Sequence, residues 1–244
     1  MQGAPTQVSL DHPLRVRSAL PLLLALVLFP LAMRVIDQPF YVVLATRILI
    51  FALVASSLNL LVGFCGLVSF GHAAFLGAGA YVVGILMFHG VTSAWIAWPA
   101  AIAVTAFAAL LIGAVTLRTR AVYFIMITLA FAQMVYYIFV SMKVYGGDDG
   151  LQLPMRSQVG LGLDLKSDVT FYYVALAAVS VCIVLFARLL GSRFGRVLQG
   201  ARENEVRMEA VGYPVYRYRL LAFVIAGAAA GLGGALLANL NLMA

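Results

Sequence analysis

The sequence predicts an all-α polytopic membrane protein, and two observations predict it. Of 244 residues, 64% are hydrophobic and only 10% charged, and the mean hydropathy is +1.03. That is too apolar for the surface of a soluble globular protein. The apolar residues are also gathered into long runs separated by short charged or glycine-rich stretches. A helix needs about 20 mostly apolar residues to cross the hydrocarbon core, and about seven runs reach that length. The net charge of +7 does not indicate nucleic acid, because the basic residues stand at the ends of apolar runs and not along a groove interleaved with aromatics.

The runs place spans near residues 18–35, 45–63, 69–88, 93–116, 121–141, 169–190 and 219–240. The first follows Arg15 and Arg17 without a small-residue cleavage pattern after Met33, so it reads as a span and not a leader. A glycine-dense stretch from Asn59 to Gly84 runs from the end of the second through most of the third. Glycine at that density serves either close helix approach or a break whose backbone lines a cavity, and both readings stay open. In the last span Gly227, Gly231 and Ala235 form a small-xxx-small row expected to be a helix contact. Cys65 and Cys182 fall inside apolar segments, where each is a small hydrophobe with no chemistry assigned.

With residues 1–17, 117–120 and 188–219 on one side, eleven of the sixteen Lys and Arg residues share it. The positive-inside rule then puts the N-terminus 1–17 in the cytosol, residues 142–168 outside as a loop, and residues 191–218 in the cytosol, all within one domain spanning 1–244.

The segment from Arg188 to Arg219 carries seven arginines and the glutamates Glu203, Glu205 and Glu209. No proline interrupts Arg196 to Val211, and Gly212 followed by Pro214 is a stop signal, so a helix of about four turns is expected there. Glu203 and Arg207 have the spacing of an i, i+4 pair, and Val197, Ala201, Met208 and Val211 make a broken apolar stripe. Such a helix suits either anionic lipid headgroups or a protein partner; three glutamates favour the partner.

No Asp, Glu, Lys or Arg lies deep inside a predicted span. Ion-driven carriers use an intramembrane ionisable group, so the energy source is expected elsewhere. The neutral polar residues Asn59, Ser69, His72, Thr128 and Gln133 are the candidate lining of a substrate route; hydrogen bonding between helices is the other reading. Asp148 and Asp149 in the loop, among charges that include Asp164, Asp168, Lys143, Arg156 and Lys166, are candidates for steering a docking protein. A secondary carrier or channel would leave the charged helix unused. A membrane enzyme would need a convergent cluster, whereas His12, His72 and His89 are scattered.

Four stretches carry a family resemblance. GRVLQGARENEVRMEAVGYPVYRYRLLAF, from Gly195 to Phe223, is similar to the cytosolic coupling region of the branched-chain amino-acid permeases of ATP-binding-cassette importers. Ser57 to Tyr81, SLNLLVGFCGLVSFGHAAFLGAGAY, resembles that family's second and third spans, Arg120 to Phe131, RAVYFIMITLAF, a later one, and Gly146 to Leu151, GGDDGL, the start of its external loop. The resemblance runs from about Ser57 to Ala238. It implies a type II importer permease in the bacterial inner membrane, paired with a second permease (the same chain or a different one), two ATPase subunits and a periplasmic substrate-binding protein.

Glu209, Ala210 and Gly212 match the E-A-x-G core that enters a groove on the ATPase, and the surrounding Arg196, Arg202, Glu203, Glu205 and Arg207 are implied to share that contact. The chain has no G-x-x-x-x-G-K-[ST] phosphate loop and no Gly-Lys pair. Thus no cofactor is expected on this chain, and ATP belongs to the partner subunit. The implied substrates are leucine, isoleucine and valine, with urea, short amides or aromatic acids as the alternatives within the same permease type. Family members continue past Ala238 with further spans, so this chain is expected to be C-terminally short.

Overall fold

The computed structural model describes residues 16–35, 38–119, 122–158, 165 and 167–243. The expected segments 1–17 (apart from its last two residues), Arg120, Asp164 and Lys166 lie outside the described residues. The described chain is helical throughout its apolar stretches: α1 Val16–Val35, α2 Pro39–Asn59, α3 His72–Phe88, α4 Ala94–Thr116, α5 Val122–Ser141, α6 Asp168–Gly191, α7 Arg193–Glu203, α8 Glu205–Ala210 and α9 Val215–Asn241. α2 runs on as a π-helical turn, Leu60–Cys65. Five of these helices are long and apolar enough to cross a membrane, counting α2 with its π turn; α1 and α3 supply two shorter apolar helices. The protein is therefore an all-α polytopic membrane bundle with spans close to the expected ones.

α9 is the centre of the bundle, and its small residues explain why. A Cβ added to Gly231 would collide with the Thr105 side chain of α4, and one added to Gly227 would come within 2.6 Å of Ala109 Cβ. From the other side, α3 approaches so closely that a Cβ on Gly79 would strike the Gly231 carbonyl, and α2 places Val54 against Gly233. Lipid tails are as apolar as leucine, so association between spans depends on such close backbone approach and not on a hydrophobic drive. The expected row of Gly227, Gly231 and Ala235 is thus a contact face on two sides. Ala222, Ala226, Ala230, Ala235 and Ala238 of the same helix are fully buried.

α1 is peripheral, with Leu22, Leu24, Leu28 and Leu31 exposed along it. Pro30 has no N–H to offer the carbonyl four residues back, Leu26 O. The Tyr172 hydroxyl of α6 donates to that carbonyl at 2.8 Å, and Tyr173 donates to Val27 O at 3.0 Å. A backbone group that would be costly to leave bare in lipid is thereby paired.

α2 begins at Pro39, six residues before the expected start. Arg47 consequently lies within the helix rather than near its start, which amends the expectation that no Asp, Glu, Lys or Arg lies deep inside a span. Its guanidinium donates to Asn241 Oδ1 at 2.8 Å, level with the last turn of α9.

The ends of the bundle differ in character. At one, α6 hands over to α7 and α8, which return the chain to α9; the C-terminus of α4 is there too, where the Tyr216 hydroxyl donates to Ala114 O at 2.9 Å. We call this the charged end. At the loop end, residues 142–158 are tied down by isolated bridges, Ser93 with Gln158 and Gln152 with Met243. Asn239 Oδ1 also accepts from the buried Ser157 N–H at 2.7 Å. Arg156 bonds Asp168 at 2.6 Å and Leu165 O at 3.1 Å while lying over the Phe171 ring. Two of the expected steering charges in this loop are therefore paired with each other.

Candidate functional site

The charged end is built from α7, α8 and the start of α9. Ser192 caps α7, its side chain accepting from the Phe194 N–H at 3.2 Å. α7 turns Gly195, Val197, Leu198 and Ala201 into the bundle and leaves Arg196 and Glu203 exposed, while Arg202, though also exposed, reaches back toward the π turn of α2.

The single helix expected over Arg196–Val211 is two helices. α7 starts at Arg193, and Asn204 breaks the run with φ −154° and ψ 100°, its side chain accepting from the Arg207 N–H at 2.9 Å to cap α8. An asparagine competes with the helix by offering its own acceptor to the backbone, which is why the chain turns there. The break also takes Glu203 and Arg207 out of helical register. Among the described residues the ion pair at this junction is instead Glu205 with Arg219, at 2.9 Å.

The stop signal at Gly212 is as expected. Gly212 has φ +96°, its N–H bonds Glu209 O at 2.9 Å, and the Tyr213 N–H reaches back to Met208 O at 3.1 Å. Those two bonds are the Schellman closure of α8.

Two arginines join this junction to the spans. Arg219, near the start of α9, holds Glu205 through Nη1 and donates from Nη2 to Ala201 O at 3.1 Å, so one guanidinium binds α7 and α8 to α9. Arg202 of α7 donates through Nη1 to Gly63 O in the π turn. Helix-terminal carbonyls lack intrahelical donors, and Gly63 O finds its donor on another element. Gly66, with φ +69°, ends the turn where a Cβ would sit 3.0 Å from Arg202 Cγ. Residues 66–71 are then non-helical until α3 starts at His72. The glycine-dense stretch thus serves both readings, as a break at Gly66–Gly71 and as close packing at Gly79.

The five candidate route residues divide. Ser69, His72 and Thr128 are buried and share one place, because Gly71 lies against Thr128 so closely that a Cβ there would be 2.6 Å from Thr128 O. His72 Nε2 is 2.7 Å from Ser57 Oγ on α2, while His72 Nδ1 and Ser69 Oγ are buried without a partner among the described residues. Asn59 is exposed, its amide over Gly63 where a Cβ would strike it, and no hydrogen bond joins it to that group among the described residues. Gln133 is exposed farther along α5 and is not part of the cluster. Thr128 Oγ1 is satisfied locally, donating to Ile125 O at 2.9 Å.

Ser57 and Arg219 are the residues that sequence reasoning passed over. Neither pairing has a signal in the spacing. The break at Asn204 did have one, since asparagine followed by glutamate is a helix-start pattern.

The outer surface of the junction is mixed. Arg207, Glu209 and Ala210 are exposed together with Val206, Val211 and Tyr213, and α8 has no buried residue. Apolar side chains framed by both signs of charge have the make-up of a protein contact surface. At the other end, Asp149 is exposed on a short 3₁₀ turn, Gly147–Asp149; the Asp148 side chain lies outside the described residues.

No solved structure matches the chain. Among curated proteins, it is 30% identical over 218 residues to the high-affinity branched-chain amino acid transport system permease protein LivM of Salmonella typhimurium, covering 80% of this chain and 51% of that one. It is 31% identical over 218 residues to the Escherichia coli K12 protein of the same name, with the same coverage of each chain. The chain therefore spans about half the length of the curated relatives it matches. The family described as branched-chain amino acid transport system / permease component matches residues 40–241, a stretch that takes in the π turn, the His72 cluster and the whole α7–α8 junction. The chain belongs to this branched-chain amino acid permease family.

Proposed function

We propose that the chain is a permease subunit of an ATP-driven importer of branched-chain amino acids in a bacterial inner membrane. ATP is hydrolysed by a separate ATPase subunit, a second permease completes the pathway, and a periplasmic binding protein delivers substrate at the loop end. The charged end faces the cytosol. Family membership and the LivM relatives support the transport reading.

The observation that carries it is the double attachment of the junction. α8 presents an exposed surface of both charges, and Glu209, Ala210 and Gly212 lie on or just past it. A partner bound there bears on α8, which Arg219 fastens to α7 and α9. α7 in turn grips the π turn through Arg202, next to the break that leads to Ser69 and His72. Movement of the junction is thereby passed to the cytosolic end of α2 and α3, where buried polar groups await partners. A helix lying on lipid headgroups would not need this attachment.

The test is reconstitution of the permease with its ATPase and binding protein, with leucine, isoleucine and valine uptake measured beside ATP hydrolysis. Glu209→Arg should reduce co-purification of the ATPase and uncouple hydrolysis from uptake, with membrane insertion unchanged. A variant that binds the ATPase and transports like the parent would refute the coupling role. Cysteines placed at Asp149 and at Glu203 should be labelled from opposite sides, external and cytosolic respectively; the reverse would overturn the orientation.

A further inference from the structure

A cavity of about 630 Å³ opens at the loop end of α5, away from the junction and the His72 cluster. Its lining includes Tyr136, Tyr137, Lys143, Gly147 and Asp149. The volume is in the range of small-molecule sites. We infer that this cavity is an external receiving site for a zwitterionic amino acid, with Lys143 taking the carboxylate, Asp149 the ammonium, and Tyr136 and Tyr137 the aliphatic side chain.

The charges carry the inference. An ammonium and a carboxylate line one cavity, and neither is in an ion pair with another described side chain. Elsewhere in the same loop, Arg156 and Asp168 have closed on each other at 2.6 Å. A cavity lined by one charge of each sign, not closed on each other in an ion pair, matches a ligand that carries both charges itself. The aromatic pair supplies the apolar part: Tyr136 and Tyr137 meet edge to face at 5.5 Å and are 54% and 65% exposed, offering ring faces to an alkyl group.

The cavity wall is also fixed in advance of any ligand. Gly146 and Gly147 adopt φ of +91° and +56°, a conformation that glycine takes without steric cost, and the turn is closed by the Gly146 N–H on Lys143 O and the Asp149 N–H on Gly146 O. Tyr81 of α3 donates its hydroxyl to Gly147 O at 3.3 Å and stacks on Phe139 at 4.4 Å. Tyr145 is lodged against Phe88 and His89 at 5.4 and 5.9 Å. Preorganisation of this kind removes part of the ordering cost of binding.

This inference rests on the amino-acid permease reading, and the experiment separates the two. Binding of L-leucine, leucinamide (no carboxylate) and 4-methylpentanoate (no ammonium) to the full chain in nanodiscs is followed by saturation-transfer NMR. Lys143→Gln should weaken leucine about fivefold, as loss of an exposed charge pair does, and leave leucinamide unchanged. Asp149→Asn should weaken leucine similarly and leave 4-methylpentanoate unchanged. Lys143→Arg, which keeps the charge, should retain leucine.

Leucine binding that is equal in the parent and both neutral variants, absent from the parent, or lost in Lys143→Arg would overturn the site. Variants that alter only the response to the binding protein would make the loop a docking surface instead, which also overturns it. If the parent fails to bind leucine while the reconstituted complex still imports it, the cavity is wrong and the permease reading stands. Leucine bound here but not imported has the opposite meaning.

Discussion

Glu205 Oε2 and Arg219 Nη1 lie 2.9 Å apart across the gap between α8 and α9, and the same guanidinium reaches the Ala201 carbonyl of α7. Both side chains are partly exposed, so the pair itself contributes about 1 kcal/mol or less. Its effect is on geometry, because α8 is only six residues long and too short to hold its angle alone. Glu205→Gln should leave overall stability nearly unchanged yet speed amide exchange across residues 205–210. Hydrogen exchange of the purified chain measures this, and unchanged protection there would mean the pair does not restrain α8.

Gly212 tests the exit from α8 by strain alone. Its φ is +96°, and a Cβ added there would meet nothing within 4 Å. Gly212→Val should therefore cost about 1–2 kcal/mol through backbone conformation, and Gly212→Asn clearly less, since asparagine tolerates positive φ. The ranking of ATPase co-purification should follow glycine, asparagine, valine. Equal behaviour of the two variants would show that the turn is not under conformational demand.

Packing at α9 predicts a contrast between glycines that look alike in sequence. Gly231→Ala drives a methyl into Thr105, and Gly79→Ala drives one into the Gly231 backbone, whereas Gly77→Ala meets open space. The first two should destabilise by about 1–3 kcal/mol. The third should be neutral or slightly stabilising, because alanine is the better helix former. Thermal unfolding in detergent of the three variants distinguishes them, and similar midpoints for all three would contradict the close α3–α9 contact.

The Ser57–His72 pair predicts an asymmetry. The Ser57 hydroxyl also lies 2.7 Å from Val54 O, so with its proton given to that carbonyl, Ser57 Oγ accepts from His72 Nε2. Ser57→Ala strands His72 in the bundle and should cost about 1–3 kcal/mol, whereas His72→Phe removes the buried polar ring as well and should be milder for folding. Uptake should fall in both variants if the cluster borders the route. Thermal midpoints and leucine uptake measured on the same samples separate folding from function, and full uptake by both would remove the cluster from the pathway.

The helical membrane class, the seven apolar helices and the Gly212 stop were legible because each depends on local sequence: run length, glycine and proline placement. The row on α9 was legible for the same reason, since small residues four apart must share a face. What escaped was tertiary. Arg202 reaches Gly63 across 139 positions and Tyr172 reaches Leu26 across 146, and no periodicity encodes such pairs. The division of the charged helix at Asn204 depends on a side-chain cap, which breaks a helix without the proline or glycine that usually marks a stop. Gln133 and Thr128 share a helix, but only Thr128 faces Gly71, since five residues turn a side chain well off the face of the first.

The central place of α9 has a consequence for how the protein is made. Synthesis delivers α2, α3 and α4 before the helix that fills the space among them, so the order of arrival reverses the order of enclosure. Until residues 215–241 emerge, the α9-facing surfaces at Thr105, Gly79 and Ala109 must rest against lipid or each other, without the helix that packs on them. The early spans are then a loose assembly waiting on a late piece. A nascent chain halted before Val215 should be the form that quality-control proteases recognise, and the arrival of one alanine- and glycine-rich helix is what turns separate insertions into a single body.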